Sequence, residues 1–121
     1  MPSGAPPESR PSQTQLTITV APDGRMVSNT YSLDCRGSGT GTLPGAAAAC
    51  TKLAKLGAAA FAPVATGTAC TEIYGGPQVA TVKGTLNGEP VDARFSRSNG
   101  CEIDRWQRLD FLFPVSLNWA H

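Results

Sequence analysis

The stretch that decides the fold is Gln78-Val79-Ala80-Thr81-Val82-Lys83-Gly84-Thr85-Leu86-Asn87-Gly88-Glu89-Pro90-Val91-Asp92-Ala93-Arg94-Phe95-Ser96. Asn87-Gly88 is the strongest short hairpin signal, because both residue types accept the left-handed backbone of a tight primed turn. It predicts two antiparallel strands, 78–85 and 91–96. Towards the N-terminus a second hairpin follows the same logic. Leu16, Ile18 and Val20 alternate with Thr17 and Thr19, a period of two built from β-branched residues. Pro22-Asp23-Gly24 is a turn, and Met26 to Cys35 alternates through Val27, Asn29, Tyr31 and Leu33. Between the hairpins, Leu43-Pro44-Gly45 leads into an alanine-rich run, which predicts a helix over 44–57 with Pro44 in its first turn and Gly57 as its stop. Ala46, Ala49, Cys50, Leu53 and Leu56 share one face. Beyond the first hairpin, Ser98-Asn99-Gly100-Cys101 reads as a turn, Glu102 to Gln107 as one or two helical turns, and Leu109 to Phe113 as a last strand. The sum is an α+β fold: a five-stranded antiparallel sheet with one long and one short helix packed on it.

The 121 residues, with a net charge of +1, suit one domain at 13–113. Residues 1–12, rich in Pro, Ser and Gly, predict a disordered arm, and 114–121 a C-terminal extension. Charged residues make up only 16%, and the balance is near neutral. That gives no electrostatic case for nucleic acid or an anionic membrane. No apolar run approaches the roughly 20 residues needed to cross a bilayer. No basic start or apolar run follows Met1, so no signal peptide is legible.

Cys35, Cys50, Cys70 and Cys101 are an even set in a small domain. They predict two disulfides and a secreted, extracellular protein. A zinc site would want tight Cys-x-x-Cys pairs; the gaps here are 15, 20 and 31 residues. Spacing alone permits three pairings.

One segment has no place in a core. Cys70-Thr71-Glu72-Ile73-Tyr74 is tied at one end by a cysteine and stopped at the other by Gly75-Gly76-Pro77, a strong turn signal. It reads as an exposed, extended loop. The plain reading is a surface loop that holds a cysteine; the sharper one is a rigid peptide offered to a partner's groove. A loop ordered in advance spares its partner the roughly 1–2 kcal/mol per residue that ordering costs.

Catalysis finds no support. The only histidine, His121, is the last residue, so no Ser/His/Asp or Cys/His arrangement can form around a positioned imidazole. The carboxylates Glu72, Asp92, Glu102, Asp104 and Asp110 stand in no motif. Gly37-Ser38-Gly39-Thr40-Gly41 lacks the lysine of a phosphate loop. The chain is therefore expected to be no enzyme and to use no cofactor and no metal.

Taken together, four cysteine positions, the alanine-rich helix carrying Cys50, the loop 70–77, the turn Ser98-Asn99-Gly100-Cys101-Glu102 and the closing Phe111-Leu112-Phe113 resemble the Streptomyces subtilisin inhibitor family, over roughly Leu16 to Phe113. The resemblance implies a secreted inhibitor of serine proteases, mostly subtilisin-like, built as a five-stranded sheet with two helices on one face and acting as a homodimer. It implies the disulfides Cys35–Cys50 and Cys70–Cys101, a reactive bond between Glu72 and Ile73 with Cys70 and Thr71 on the acyl side and Tyr74 on the leaving side, and Asn99 supporting the loop from beneath. Some relatives also block metalloproteases, which suggests a second protease contact at Thr30 and Tyr31. Glu72 stands where relatives place Met, Lys or another large residue, and 114–121 has no counterpart. The alternative is a secreted binding or structural module without antiprotease activity.

Overall fold

The computed structural model describes residues 14–37 and 39–114. The arm expected at 1–12 and, beyond Pro114, the extension expected at 114–121, with His121, lie outside the described residues. Four strands form one antiparallel sheet: β1 (Gln15–Ala21), β2 (Asn29–Asp34), β3 (Val79–Leu86) and β4 (Glu89–Ser96), in the order β2-β1-β3-β4. The β3–β4 hairpin forms as its turn predicts. Leu86 pairs with Glu89, and the two residues between them, Asn87 and Gly88, take φ of 53° and 83°, the geometry of a primed turn.

Register sets the two faces. Leu33, Leu16, Gly84 and Val91 stand side by side across the sheet, then Tyr31, Ile18, Val82 and Ala93, then Val20, Ala80 and Phe95. This face is the core, covered by the helices α1 (Ala46–Leu56) and α2 (Gly100–Arg108) through Ala49, Leu53 and Trp106, and by Leu109 just past α2. Phe113 lies 4.8 Å from the Trp106 ring and 5.2 Å from that of Phe95, so the segment after α2 closes over the sheet. The opposite face carries Thr17, Thr19, Thr81, Lys83, Asp92 and Arg94, with the Thr19 and Thr81 hydroxyls hydrogen-bonded. Strand β1 thus offers any partner its threonines, while its aliphatic side chains are spent on the core.

Three expectations need correction. The fifth strand at Leu109–Phe113 is a 3₁₀ turn, Asp110–Leu112, with Leu112 N–H donating to Leu109 O and Phe113 N–H to Asp110 O, each at 2.9 Å. Its apolar residues satisfy period two through Leu109, Phe111 and Phe113, but also period three through Leu109 and Leu112. No Gly or Pro separates them from α2, so the chain keeps winding. Second, α1 starts at Ala46 behind a left-handed Gly45, which puts Pro44 before the cap and outside the first turn. Gly57 does end the helix, its N–H reaching Leu53 O. Leu56, expected on the buried face, is 36% exposed. Third, 98–101 is no free turn. Asn99 caps α2, its side chain accepting from Glu102 N–H at 3.0 Å, and this satisfies one of the orphan donors of a helix start.

Arg105, almost fully buried, locks α2 in place. Its guanidinium donates to Ala62 O, Arg94 O and Glu102 Oε1 and lies 4.4 Å from the Phe95 ring. Two disulfides complete the frame. Cys35–Cys50 joins the end of β2 to α1, and Cys70–Cys101 joins the loop before β3 to the first turn of α2. No cysteine is free. Among the described residues no helix is long and apolar enough to cross a membrane.

Candidate protease-binding loop

Residues 68–76 have no regular secondary structure. The sequence explains why: small and polar residues lead in, and Gly75-Gly76-Pro77 blocks any helix or ladder before β3. Ile73 is 61% and Tyr74 67% exposed. Among residues 14–37 and 39–114, these two, with Met26 and Val27, are the large apolar side chains most open to solvent. An isoleucine and a tyrosine side by side in water make this segment a candidate contact surface.

The loop is nevertheless not free. On one side, Cys70 is bonded to Cys101, and Thr71 O accepts from Gly100 N–H at 2.9 Å. On the other, Gly75 N–H donates to Arg97 O at 2.7 Å, and Gly75 O accepts from Arg97 Nε at 3.1 Å. Between these two anchorages, Glu72, Ile73 and Tyr74 make no hydrogen bond or ion pair with any described residue. Three consecutive residues are therefore held at both ends and bare in the middle.

Both anchorages depend on absent side chains. A Cβ on Gly100 would stand 1.9 Å from Thr71 Oγ1, and one on Gly75 would stand 2.8 Å from Ile103 Cδ1 and 3.2 Å from Arg97 Cβ. Glycine at each position lets the loop lie directly on α2 and on the segment before it.

The expected site residues Cys70, Thr71, Glu72, Ile73 and Tyr74 thus lie together on one exposed segment. Asn99 is linked to it at one remove: its side chain holds the start of α2, and the next residue, Gly100, holds Thr71. Arg97 and Ile103 went unnoticed in the sequence, and Gly75 and Gly100 were read there without their part in holding the loop. Only the glycines carried a signal there, and it reads as turn chemistry. Thr30 and Tyr31 lie elsewhere, on edge strand β2. Tyr31 packs partly against the core, opposite Ile18, and Thr30 is exposed.

Comparison with known proteins agrees with this architecture. The family described as subtilisin inhibitor-like matches residues 10–99. No curated protein matches the chain. Among solved structures, the crystal structure of Streptomyces caespitosus sermetstatin in complex with Bacillus licheniformis subtilisin contains a similar chain. It is 24% identical, the match covers 84% of this chain and 96% of that one, and the TM-score is 0.52.

Proposed function

The chain belongs to the subtilisin inhibitor-like family, and we propose that it inhibits subtilisin-type serine proteases by presenting Cys70–Tyr74 to the protease as a substrate, with Glu72–Ile73 as the scissile bond. The observation that carries this reading is the bare triplet Glu72-Ile73-Tyr74 between two anchored ends. A protease groove binds extended peptide through its backbone and side-chain pockets, and those groups of the triplet are paired with no described residue. The anchorage at Cys70 and Thr71 removes most of the ordering entropy before binding. It also keeps the two sides of a cut bond together. The Glu72 side stays attached through Cys70–Cys101, and the Ile73 side through Gly75. In this reading the chain is an inhibitor and supplies no catalytic group of its own.

The family match and the likeness to a chain solved in complex with subtilisin support a subtilisin-type protease as the target. Two disulfides and no free thiol suit an oxidising, extracellular setting. For the homodimer that the resemblance implies, the face on offer is the threonine-lined side of the sheet. For a second contact with a metalloprotease, β2 offers exposed Thr30, while Tyr31 is turned towards the core.

Titration tests the proposal. Adding the purified protein to a fixed amount of subtilisin should abolish activity in a linear, stoichiometric fashion. Activity unaffected by a tenfold molar excess would overturn the reading in favour of a binding module without antiprotease action.

A further inference from the structure

We propose that Arg97 is the positioning residue for the leaving side of the loop, holding Gly75 so that the amine of Ile73 stays in line with the Glu72 carbonyl carbon when the bond is cut. The inference rests on the functional reading above. It begins from the way one residue grips another twice. The backbone oxygen of Arg97 accepts from Gly75 N–H at 2.7 Å, and its Nε donates to Gly75 O at 3.1 Å. Both polar backbone groups of Gly75 are therefore bound to Arg97, two residues downstream of Ile73. Contact along the arginine stem is close as well, since a Cβ on Gly75 would stand 3.2 Å from Arg97 Cβ.

The guanidinium is placed at a cost. It lies 5.8 Å from the Trp106 ring, and its Nη1 is buried with no hydrogen-bond partner among the described residues. A buried N–H without an acceptor is unfavourable, and such groups call for an explanation. A surface arginine free to choose would turn its guanidinium to water. Arg97 keeps it under the loop, where Nε reaches the Gly75 carbonyl. On the acyl side a covalent bond does the holding. On the leaving side there is no disulfide, and the arginine fills that role.

The chemistry shows what this holding does. Hydrolysis adds one water across Glu72–Ile73, with oxygen going to the Glu72 carbonyl carbon and a proton to the Ile73 nitrogen. Resynthesis on the protease reverses both steps. The catalytic serine oxygen attacks the Glu72 carboxyl group and expels water, giving the acyl-enzyme. The Ile73 nitrogen lone pair then attacks that carbonyl carbon, and the serine oxygen departs and recovers its proton. This last attack is fast only while the amine is held near the carbonyl. An amine tethered at Gly75 stays there, whereas one on a loose strand drifts away and the inhibitor is consumed.

Two variants separate the donor from the packing. Arg97→Met keeps an apolar stem beside Trp106 and removes every side-chain donor, leaving only the backbone bond from Gly75 N–H; Arg97→Lys keeps a stem and one ammonium as donor for Gly75 O. In the free protein, amide hydrogen exchange at Gly75 should quicken at least about tenfold in Arg97→Met and less in Arg97→Lys, with α2 amides unchanged. On long incubation with subtilisin, Arg97→Met should be degraded at least about tenfold faster than the parent, its equilibrium shifted from intact to cut, and Arg97→Lys should fall between them. Unchanged exchange at Gly75 in folded Arg97→Met, or identical behaviour of the two variants, would overturn the proposal. If the parent fails to inhibit subtilisin while Gly75 exchange responds as stated, the clamp stands and the functional reading falls.

Discussion

Glu72→Lys is expected to make this protein a trypsin inhibitor, and Glu72→Leu to tighten its grip on subtilisin. In substrate-like binding, the side chain before the scissile carbonyl enters the protease's primary pocket. In a trypsin-like protease that pocket is acidic, so Glu72 meets a like charge, which costs several kcal/mol across an interface. Lysine turns that repulsion into a pair. The gain should be at least about a hundredfold, roughly 2.7 kcal/mol. In an apolar pocket the carboxylate must shed its water without a partner. Leucine removes that cost and should strengthen subtilisin inhibition at least about tenfold, roughly 1.4 kcal/mol. Folding should not change, because Glu72 is exposed and makes no hydrogen bond or ion pair with a described residue. Inhibition constants of the parent and both variants against the two proteases check this. Constants that stay within about tenfold throughout would show that Glu72 does not enter the pocket.

Removing Cys70–Cys101 by paired serine substitution should convert the inhibitor into a substrate. The bond closes a 31-residue separation, so the chain-entropy model assigns it about 4 kcal/mol of stability. Cys35–Cys50, with a separation of 15 residues, is worth about 3 kcal/mol on the same basis. The two losses are similar for folding but not for function. Without Cys70–Cys101 the acyl side keeps only the Gly100–Thr71 hydrogen bond, and the two halves of a cut chain share no covalent link. Inhibition should weaken at least about a hundredfold at a temperature where circular dichroism shows the domain folded, with rapid cleavage in place of stable complex. The Cys35→Ser/Cys50→Ser variant, folded under the same conditions, should inhibit as the parent does. Equal losses in the two variants would mean that the disulfide at the loop acts through global stability alone.

The residues explain why the strands were legible and the last segment was not. Asn87-Gly88 and the alternation Leu16, Ile18, Val20 are local signals, and the local backbone obeys them. Leu109 to Phe113 satisfies two periods at once, and only its continuation from α2 decides between them. Pro44 misleads because a left-handed Gly45 ends one conformation before the helix starts another. The loop showed in the sequence as an absence of core residues between a cysteine and a glycine pair. Its supports did not show, because they are contacts between distant segments. Gly75 against Ile103 and Arg97, and Gly100 against Thr71, require glycine for reasons that exist only once α2 lies beneath the loop. The pairing of four cysteines is likewise tertiary information, and composition leaves it open.

The central claim is that one bond, Glu72–Ile73, is offered to the protease and held after it is cut. Long incubation with a catalytic amount of subtilisin, followed by mass spectrometry and N-terminal sequencing, tests it most directly. Cleavage there leaves Cys70 on one fragment and Cys101 on the other. The expected product is an unreduced species heavier than the intact protein by one water. On reduction it should separate into two chains, with a single new N-terminus reading Ile73-Tyr74-Gly75. A first cut at any other bond, or fragments that part without reduction, would contradict it.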